Sequence, residues 1–497
     1  MDLTRLPVVV GAGQHTNRVE DPLEAPDPFE LMELVVGAAA ADAGDPGLAA
    51  AATHVWVVNS LSLRHADPAG ELARRLGAGQ AEARYCGVGG AMPQWLVDRA
   101  AEMVVAGGRP LVVIAGAEAL ATRQRAKRAG TALDWPATEG RPETWPPQEA
   151  DYGIHPLELQ HGLPQPTHMY ALIETAIAHA LGHDPGRHRA HMAALMDRFN
   201  AVAAGNPLSW FPTRREAADL SRVSADNRMI CFPYPKYLNA VMNVDMAAAV
   251  IVTDAQTARD AGLDPGDVAH VAGWGDAKDV WYVSQRPELH TSPAIAECGR
   301  AALGGAGLAL DDVTAFDIYS CFPSAVEVAT AALGVPADDP RPLTLTGGLP
   351  YHGGPGNNYV THALANMLAH VREHPDARVL VHGNGYFLTK QAVGVYTSQP
   401  PSAPPAPAAG LQDRVDAAAR PVDLDPEPGG TARVVAYTVP HGRDGSPEPG
   451  IVLAQSGRGR CLALADEALT AALEGSDMVG GAVTVTAGAP TNAATLA

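Results

Sequence analysis

Cysteine is scarce in this chain: five thiols in 497 residues, Cys86, Cys231, Cys298, Cys321 and Cys461, with no C-x-x-C pair. An odd number of widely spaced cysteines argues against a disulfide framework or a zinc ribbon and fits free thiols in a reducing cytoplasm. Positive charge is also short, with 35 Lys and Arg against 55 Asp and Glu and a formal net charge of −20. Nucleic acids need a basic footprint that such a chain lacks, and anionic membrane surfaces would repel it. No apolar run approaches the ~18 residues of a membrane-spanning helix. The opening MDLTRLPVVVGAG has neither the apolar stretch nor the small-residue cleavage site of a secretory leader. What remains is a globular chain, 46% hydrophobic, long enough for roughly three domains at ~150 residues each.

The patterns that are present alternate. PVVVGAGQ reads as a buried strand and a glycine turn, FELMELVVGAAAADAG as a helix closed by glycine, HVWVVNSL as a strand and PAGELARRLGA as a helix. This order predicts an α/β fold with a parallel or mixed sheet covered by helices on both faces. The stretch GVGGAMPQWLVDRAAEMVVAGGRPLVVIAGAE and the later YHGGPGNNYVTHALANMLAHVREHPDARVLVHGNGYF share one order of parts: glycine turn, apolar helix, loop, buried strand, glycine. They read as an internal duplication. Residues 1–120 and 241–270 then form a first half, 271–398 a second half, and 121–240 an insertion with a proline-rich loop. SQPPSAPPAPAAG opens a Pro/Ala linker over 399–430. Short strand-like runs over 431–490 predict a small β-barrel of OB-like type, with APTNAATLA as a frayed tail.

Five segments in order resemble the thiolase superfamily, within it the thiolase-like type 1 group near the sterol-carrier-protein type of thiolase. PVVVGAGQHTN matches the opening strand. HMYALIE (168–174) matches HMGxTAE, with His168, Met169 and Glu174 in register. NVDMAAAVIVTD (243–254) matches the DGAAA strand, DIYSCFPSAVEV (317–328) the E-V-H-D-C-F segment, and GGLPYHGGPG (347–356) the GG…GHP segment. The resemblance covers about residues 5–400. It implies two βαβαβαββ halves in a five-layered α-β-α-β-α domain, a loop domain that holds coenzyme A, and acyl-CoA as the small-molecule ligand. The part beyond residue 430 resembles small barrels that accompany some thiolase-like proteins.

The resemblance also shows what is missing. A thiolase places its nucleophilic cysteine at a helix N-terminus, where the dipole and free N–H groups favour a thiolate. Ungapped matching puts that position at Gly90, and Cys86 lies four residues earlier, about 13 Å if extended. The GHP histidine falls on Gly354, with His352 two residues before it. Without nucleophile or base, ordinary thiolysis and Claisen condensation are not expected. What is left is enolate or carbon–carbon bond chemistry on an acyl-CoA, retro-aldol cleavage by tyrosine, or acyl-CoA binding alone. The name acetyl-CoA acetyltransferase, which the resemblance suggests, would describe the scaffold and not the activity.

The candidate catalytic residues are Cys321, Tyr319 in the place of the H-D-C-F histidine, and His352. Gly89, Gly90, Gly353 and Gly354 would open two helices and present free N–H groups to an oxyanion. Arg123 and Arg125, in TRQRAKRAG, lie where the loop domain of thiolases receives the nucleotide end of coenzyme A, and His168 and Met169 join them as binding candidates. His188 and His191 have helical spacing suited to a metal but no evident third ligand, so they read as a solvated face and no metal is assigned. Gly11-Ala12-Gly13 starts a dinucleotide pattern that Thr16 breaks. No cofactor is expected beyond coenzyme A as part of the substrate. The resemblance implies a monomer or homodimer, with a partner enzyme of lipid metabolism as a further expectation.

Overall fold

The computed structural model describes residues 2–497. The first half contributes β1 (Pro7–Thr16), β2 (His54–Val57), β3 (Glu82–Tyr85) and β4 (Val112–Ala119). The insertion contributes β5 (Met229–Phe232) and β6 (Tyr234–Pro235), and β7 (Asp245–Asp254) then completes the first half. The second half holds β8 (Ala269–Lys278), β9 (Ala315–Ile318), β10 (Arg378–Gly385) and β11 (Lys390–Thr397). The C-terminal part holds β12 (Gly429–Pro440), β13 (Ile451–Gln455), β14 (Arg460–Ala465), β15 (Ala482–Thr486) and β16 (Ala493–Leu496).

The duplication is real. One half runs β2-β4-β7-β1 across the sheet and the other β9-β10-β11-β8. Each has one parallel pairing followed by two antiparallel ones. β1 and β8 join the halves through Val8–His270 and Val9–Ala269, giving one nine-stranded mixed sheet with β3 at one edge. Helix Pro28–Asp42 packs outside the first half and helix Pro293–Ala306 outside the second. Helices Met92–Val105 and Tyr359–Glu373 pack on each other between the two halves. The layers are α-β-α-β-α, as the resemblance implies.

Local sequence explains the layering. Helix Pro28–Asp42 starts at a capping box: Asp27 accepts from the Phe29 and Glu30 N–H groups while Glu30 accepts from Asp27 N–H. Its apolar face then lies on β1. Here the expected glycine turn is absent, and β1 runs unbroken through Gly11 and Gly13. Any Cβ at these positions would collide with the carbonyls of Ala39 and Val35. The glycines therefore set close helix–strand approach, not a phosphate loop. β7 is buried along its whole length, because its alanine-rich DMAAAVIVTD has helices on both faces.

Two further expectations are corrected. The linker is not structureless: helix Leu411–Ala418 docks Leu411 and Val415 into the core. APTNAATLA is not frayed, since β16 pairs with both β14 and β15; its alternating side chains place Ala494 inside the barrel. The barrel closes by pairing of β13 with β12, so five strands leave no free edge. The insertion also reaches into this region, through pairing of β5 with the end of β12 at Val439–Phe232. Among the described residues, no helix is long and apolar enough to cross a membrane.

Candidate active site

Between β3 and helix Met92–Val105 the chain passes through Gly89 in an extended positive-φ conformation (φ 149°). The Gly89 N–H donates to Asn357 Oδ1 at 2.8 Å, and Asn357 Nδ2 donates to the Asn59 carbonyl at 2.9 Å. Asn357 lies just before helix Tyr359–Glu373, so the N-termini of the two central helices are tied together here. The N–H groups of Gly90 and Ala91 have no hydrogen-bond partner among the described residues. Two unpaired donors at a helix start make an oxyanion cradle without any side chain.

Gly90 has no room for a side chain. A Cβ there would collide with the Tyr319 hydroxyl and lie 2.6 Å from the Asn384 carbonyl. Tyr319 therefore fills the space into which a residue at position 90 would project. It follows β9, is 7% exposed, and packs edge-on against Tyr359 at 5.7 Å between ring centroids. Burial, with Cys321 nearby, holds its phenol protonated far beyond neutral pH. At position 319 the chemistry is that of a hydrogen-bond donor, not a base.

Cys321 is likewise buried, and burial pushes its thiol up to about 12. Beside it lies the Tyr170 hydroxyl, while the Tyr170 ring stacks on Phe322 at 4.7 Å. A polar chain runs on from Tyr170: Asn384 Nδ2 donates to its hydroxyl at 2.8 Å, Gln391 Nε2 donates to Asn384 Oδ1 at 3.4 Å, and His382 Nε2 meets Gln391 Oε1 at 2.9 Å. Burial lowers the His382 imidazole to about 4, and its Nδ1 has no partner.

The glycine turn is clamped from outside. Gln148 Oε1 accepts from Val88 N–H at 2.7 Å. Glu149 pairs with Lys390 at 2.6 Å and Lys278 at 3.1 Å, and Lys390 lies over the Tyr386 ring at 4.5 Å. These contacts fasten the proline-rich segment of the insertion over the glycine turn. A small cavity of about 130 Å³ remains there, lined by Ala91, Trp95, Pro146 and Lys390 among others.

The structure thus gathers Gly89, Gly90 and Tyr319 around one point, with Cys321 close to Tyr319 and Tyr170. Other candidates stand apart. His352 is fully buried; its Nδ1 faces Ser209 at 3.3 Å and Asn206 at 3.5 Å, and burial lowers it to about 3. The Tyr359 ring touches both His352 and Tyr319. Gly353 and Gly354 do not open the helix, which starts at Tyr359, and the Gly354 N–H is taken by the Val241 carbonyl at 2.8 Å. Arg125 is engaged by buried Asp245 at 2.7 Å, and Arg123 donates to the Leu61 carbonyl at 3.1 Å. His168 is held by the Gly162 carbonyl at 2.7 Å, and Met169 lies in the core. Cys86 is buried at the end of β3 with Sγ accepting from Asn59 N–H at 3.3 Å, and burial pushes it up to about 12. Sequence reasoning passed over Tyr170, Gln391 and Glu149. Tyr170 had a visible signal, since it stands where HMGxTAE has glycine.

Comparison with known proteins places this geometry in context. A family model described as the thiolase-like protein type 1 additional C-terminal domain matches residues 410–488. The crystal structure of a monomeric SCP2-thiolase like protein type 1 from Mycobacterium smegmatis is 33% identical, with 99% of each chain covered and a TM-score of 0.85. The Ltp2-ChsH2(DUF35) aldolase is 20% identical over 80% of this chain and 99% of that one, with a TM-score of 0.58. An acetyl-CoA acetyltransferase from Syntrophomonas wolfei is 14% identical over 79% of this chain and 99% of that one, with a TM-score of 0.54. The last two likenesses speak to the fold alone. No curated protein sequence matches the chain.

Proposed function

The chain belongs to the family of SCP2-thiolase-like type 1 proteins, and from that premise we propose that it binds an acyl-CoA and stabilises an enolate of the acyl group without an acyl-enzyme. One observation carries the reading: the Tyr319 hydroxyl occupies the space a nucleophile at position 90 would need. Acyl transfer through the protein needs a nucleophile there. Enolate chemistry needs donors at the thioester oxygen and an acceptor for the released proton. The Gly90 and Ala91 N–H groups with the Tyr319 phenol supply three donors, and the acceptor is a solvent base admitted with the substrate.

In such a step the bond to the α-carbon breaks, whether to hydrogen or to a β-carbon bearing a hydroxyl. Its electron pair moves onto the thioester oxygen, a solvent base takes the proton released from the α-carbon or from the β-hydroxyl, and water returns a proton to the α-carbon afterwards. In the second case the β-hydroxyl proton leaves as the new carbonyl forms, and a shorter acyl-CoA departs. That the same fold hosts an aldolase is compatible with this class. A second reading, acyl-CoA binding without turnover, is favoured by the weak proton affinity of His352 and His382, held at about 3 and about 4.

Deuterium exchange at the α-carbon of acetyl-CoA, followed by NMR in heavy water, separates the two. The enolate reading expects exchange above the buffer rate, slowed about 10²- to 10³-fold in Tyr319→Phe, which removes one oxyanion donor. Binding with no exchange at all would leave the second reading.

A further inference from the structure

Away from the glycine turn, three helices bring together side chains that the sequence scatters. Glu174 lies on helix Pro166–Ala180, His188 on helix Pro185–Gly205 and Glu327 on helix Pro323–Leu333. One ligand atom from each lies within 4.8 Å of the others. His188 is not on a solvated face, as its spacing with His191 suggested; it is 1% exposed. We infer that Glu174, His188 and Glu327 form a site for a divalent transition-metal cation, with His191 as the nearest further ligand.

The outer atoms of these side chains are held while the inner ones converge. His188 Nδ1 faces His183 Nδ1 at 3.3 Å, which leaves Nε2 to point at Glu174 Oε1, 2.6 Å away. The other Glu174 oxygen accepts from the Tyr234 hydroxyl at 2.5 Å, and Tyr234 is in turn held by Ser324 at 2.7 Å. Fixing one imidazole nitrogen and one carboxylate oxygen so that the other faces inward is the outer-shell arrangement of metal sites.

Glu327 supplies the independent observation. Its side chain is 9% exposed, yet both carboxylate oxygens are sealed from solvent and accept no hydrogen bond. His191 Nε2 lies 2.9 Å from Glu327 Oε1 but is not aligned to donate to it. Among the described residues, neither Glu174 nor Glu327 has a lysine or arginine partner. With only the imidazoles of His188 and His191 beside them among the described residues, two adjoining buried carboxylates are costly to ionise, and a divalent cation would neutralise both at once.

Access and chemistry also agree. Glu327 and His191 line a cavity of about 640 Å³ that also meets Arg198, His290 and Asp339, so solvent reaches the edge of the cluster and a side-chain shift of Glu327 would open it to an ion. Two carboxylates with one or two imidazoles suit zinc, manganese, iron or cobalt better than calcium or magnesium, whose ligands are oxygens. Ligands roughly 2.0–2.2 Å from a common centre require only small side-chain shifts from the present spacing.

The test uses the full-length protein dialysed against a chelator and then against Co²⁺ or Zn²⁺ with a metal-free final step. Metal content by mass spectrometry, the visible bands of Co²⁺ and thermal melting provide three readouts. One equivalent per chain, Co²⁺ bands that show nitrogen ligation, and a higher melting temperature with metal are expected. Tyr234→Phe, which removes an outer-shell partner, should weaken binding by about 10- to 100-fold, and Glu327→Gln by more. No retained cation in the wild-type protein would overturn the assignment even if the variants failed to fold. So would equal binding by the wild-type protein, His191→Ala and Glu327→Gln, because the ion would then sit elsewhere.

Discussion

Gly90 and Tyr319 form a linked pair: the backbone at 90 leaves a space that the phenol at 319 fills. Gly90→Cys should therefore not restore a thiolase. The new side chain overpacks the site, costing about 1–3 kcal/mol, and denaturant unfolding should show the loss. Adding Tyr319→Ala should recover part of it, as expected for two residues sharing one space. Equal destabilisation with and without Tyr319→Ala would mean that the two do not compete. Some of this was legible in the sequence. The absence of cysteine at Gly90 and the tyrosine at 319 could both be read from motif positions, and Tyr170 from the glycine of HMGxTAE. Their mutual contact could not be read, because it joins a turn at 90 to a strand end more than two hundred residues away. Arg125 shows the opposite failure. A cation in a basic run reads as a phosphate ligand, and only the fold reveals buried Asp245 beside it.

At the level of elements, the duplicated halves were legible because the order of glycine turn, apolar helix and buried strand survives in each copy. Boundaries set by tertiary contact were not. β16 and helix Leu411–Ala418 come from short, weakly patterned sequence and form because neighbouring strands and helices are there to receive them. β8 carries a testable cost. His270 is 3% exposed, and neither of its ring nitrogens has a partner. Burial pulls its imidazole down to about 4 from an ordinary 6.5, so the folded protein excludes a proton that the unfolded chain would bind. The stability this contributes is complete above pH 6.5 and is lost as pH falls through 4. At roughly 1.4 kcal/mol per pH unit, the loss reaches about 3 kcal/mol by pH 4. His270→Leu should be at least as stable at pH 7 and should lose less stability between pH 6.5 and 4, as measured by urea unfolding across that range. An unchanged pH dependence would show that His270 titrates normally.

Across the whole molecule, the C-terminal barrel is held to the thiolase-like domain by polar contacts as well as by packing. Thr175 Oγ1 donates to the Tyr437 carbonyl at 2.8 Å and accepts from its N–H at 3.0 Å. The Arg460 guanidinium donates to the carbonyls of Arg286 and Pro287. Arg460→Ala leaves those carbonyls without their partner, at about 1–3 kcal/mol. Limited proteolysis between residues 399 and 428 should quicken in that variant, and an unchanged rate would show that the barrel is held by other contacts. The barrel, the clamped insertion and the two tyrosines belong to a thiolase-like scaffold with no room for a nucleophile at position 90, and the proposed function is that it handles its ligand without a covalent step. Mass spectrometry of the protein incubated with acetyl-CoA, recorded under native and then denaturing conditions, tests that claim most directly. The account predicts a one-to-one complex in the native spectrum and an unmodified chain after denaturation. A chain carrying a covalent acetyl group, or no complex in either spectrum, would contradict it.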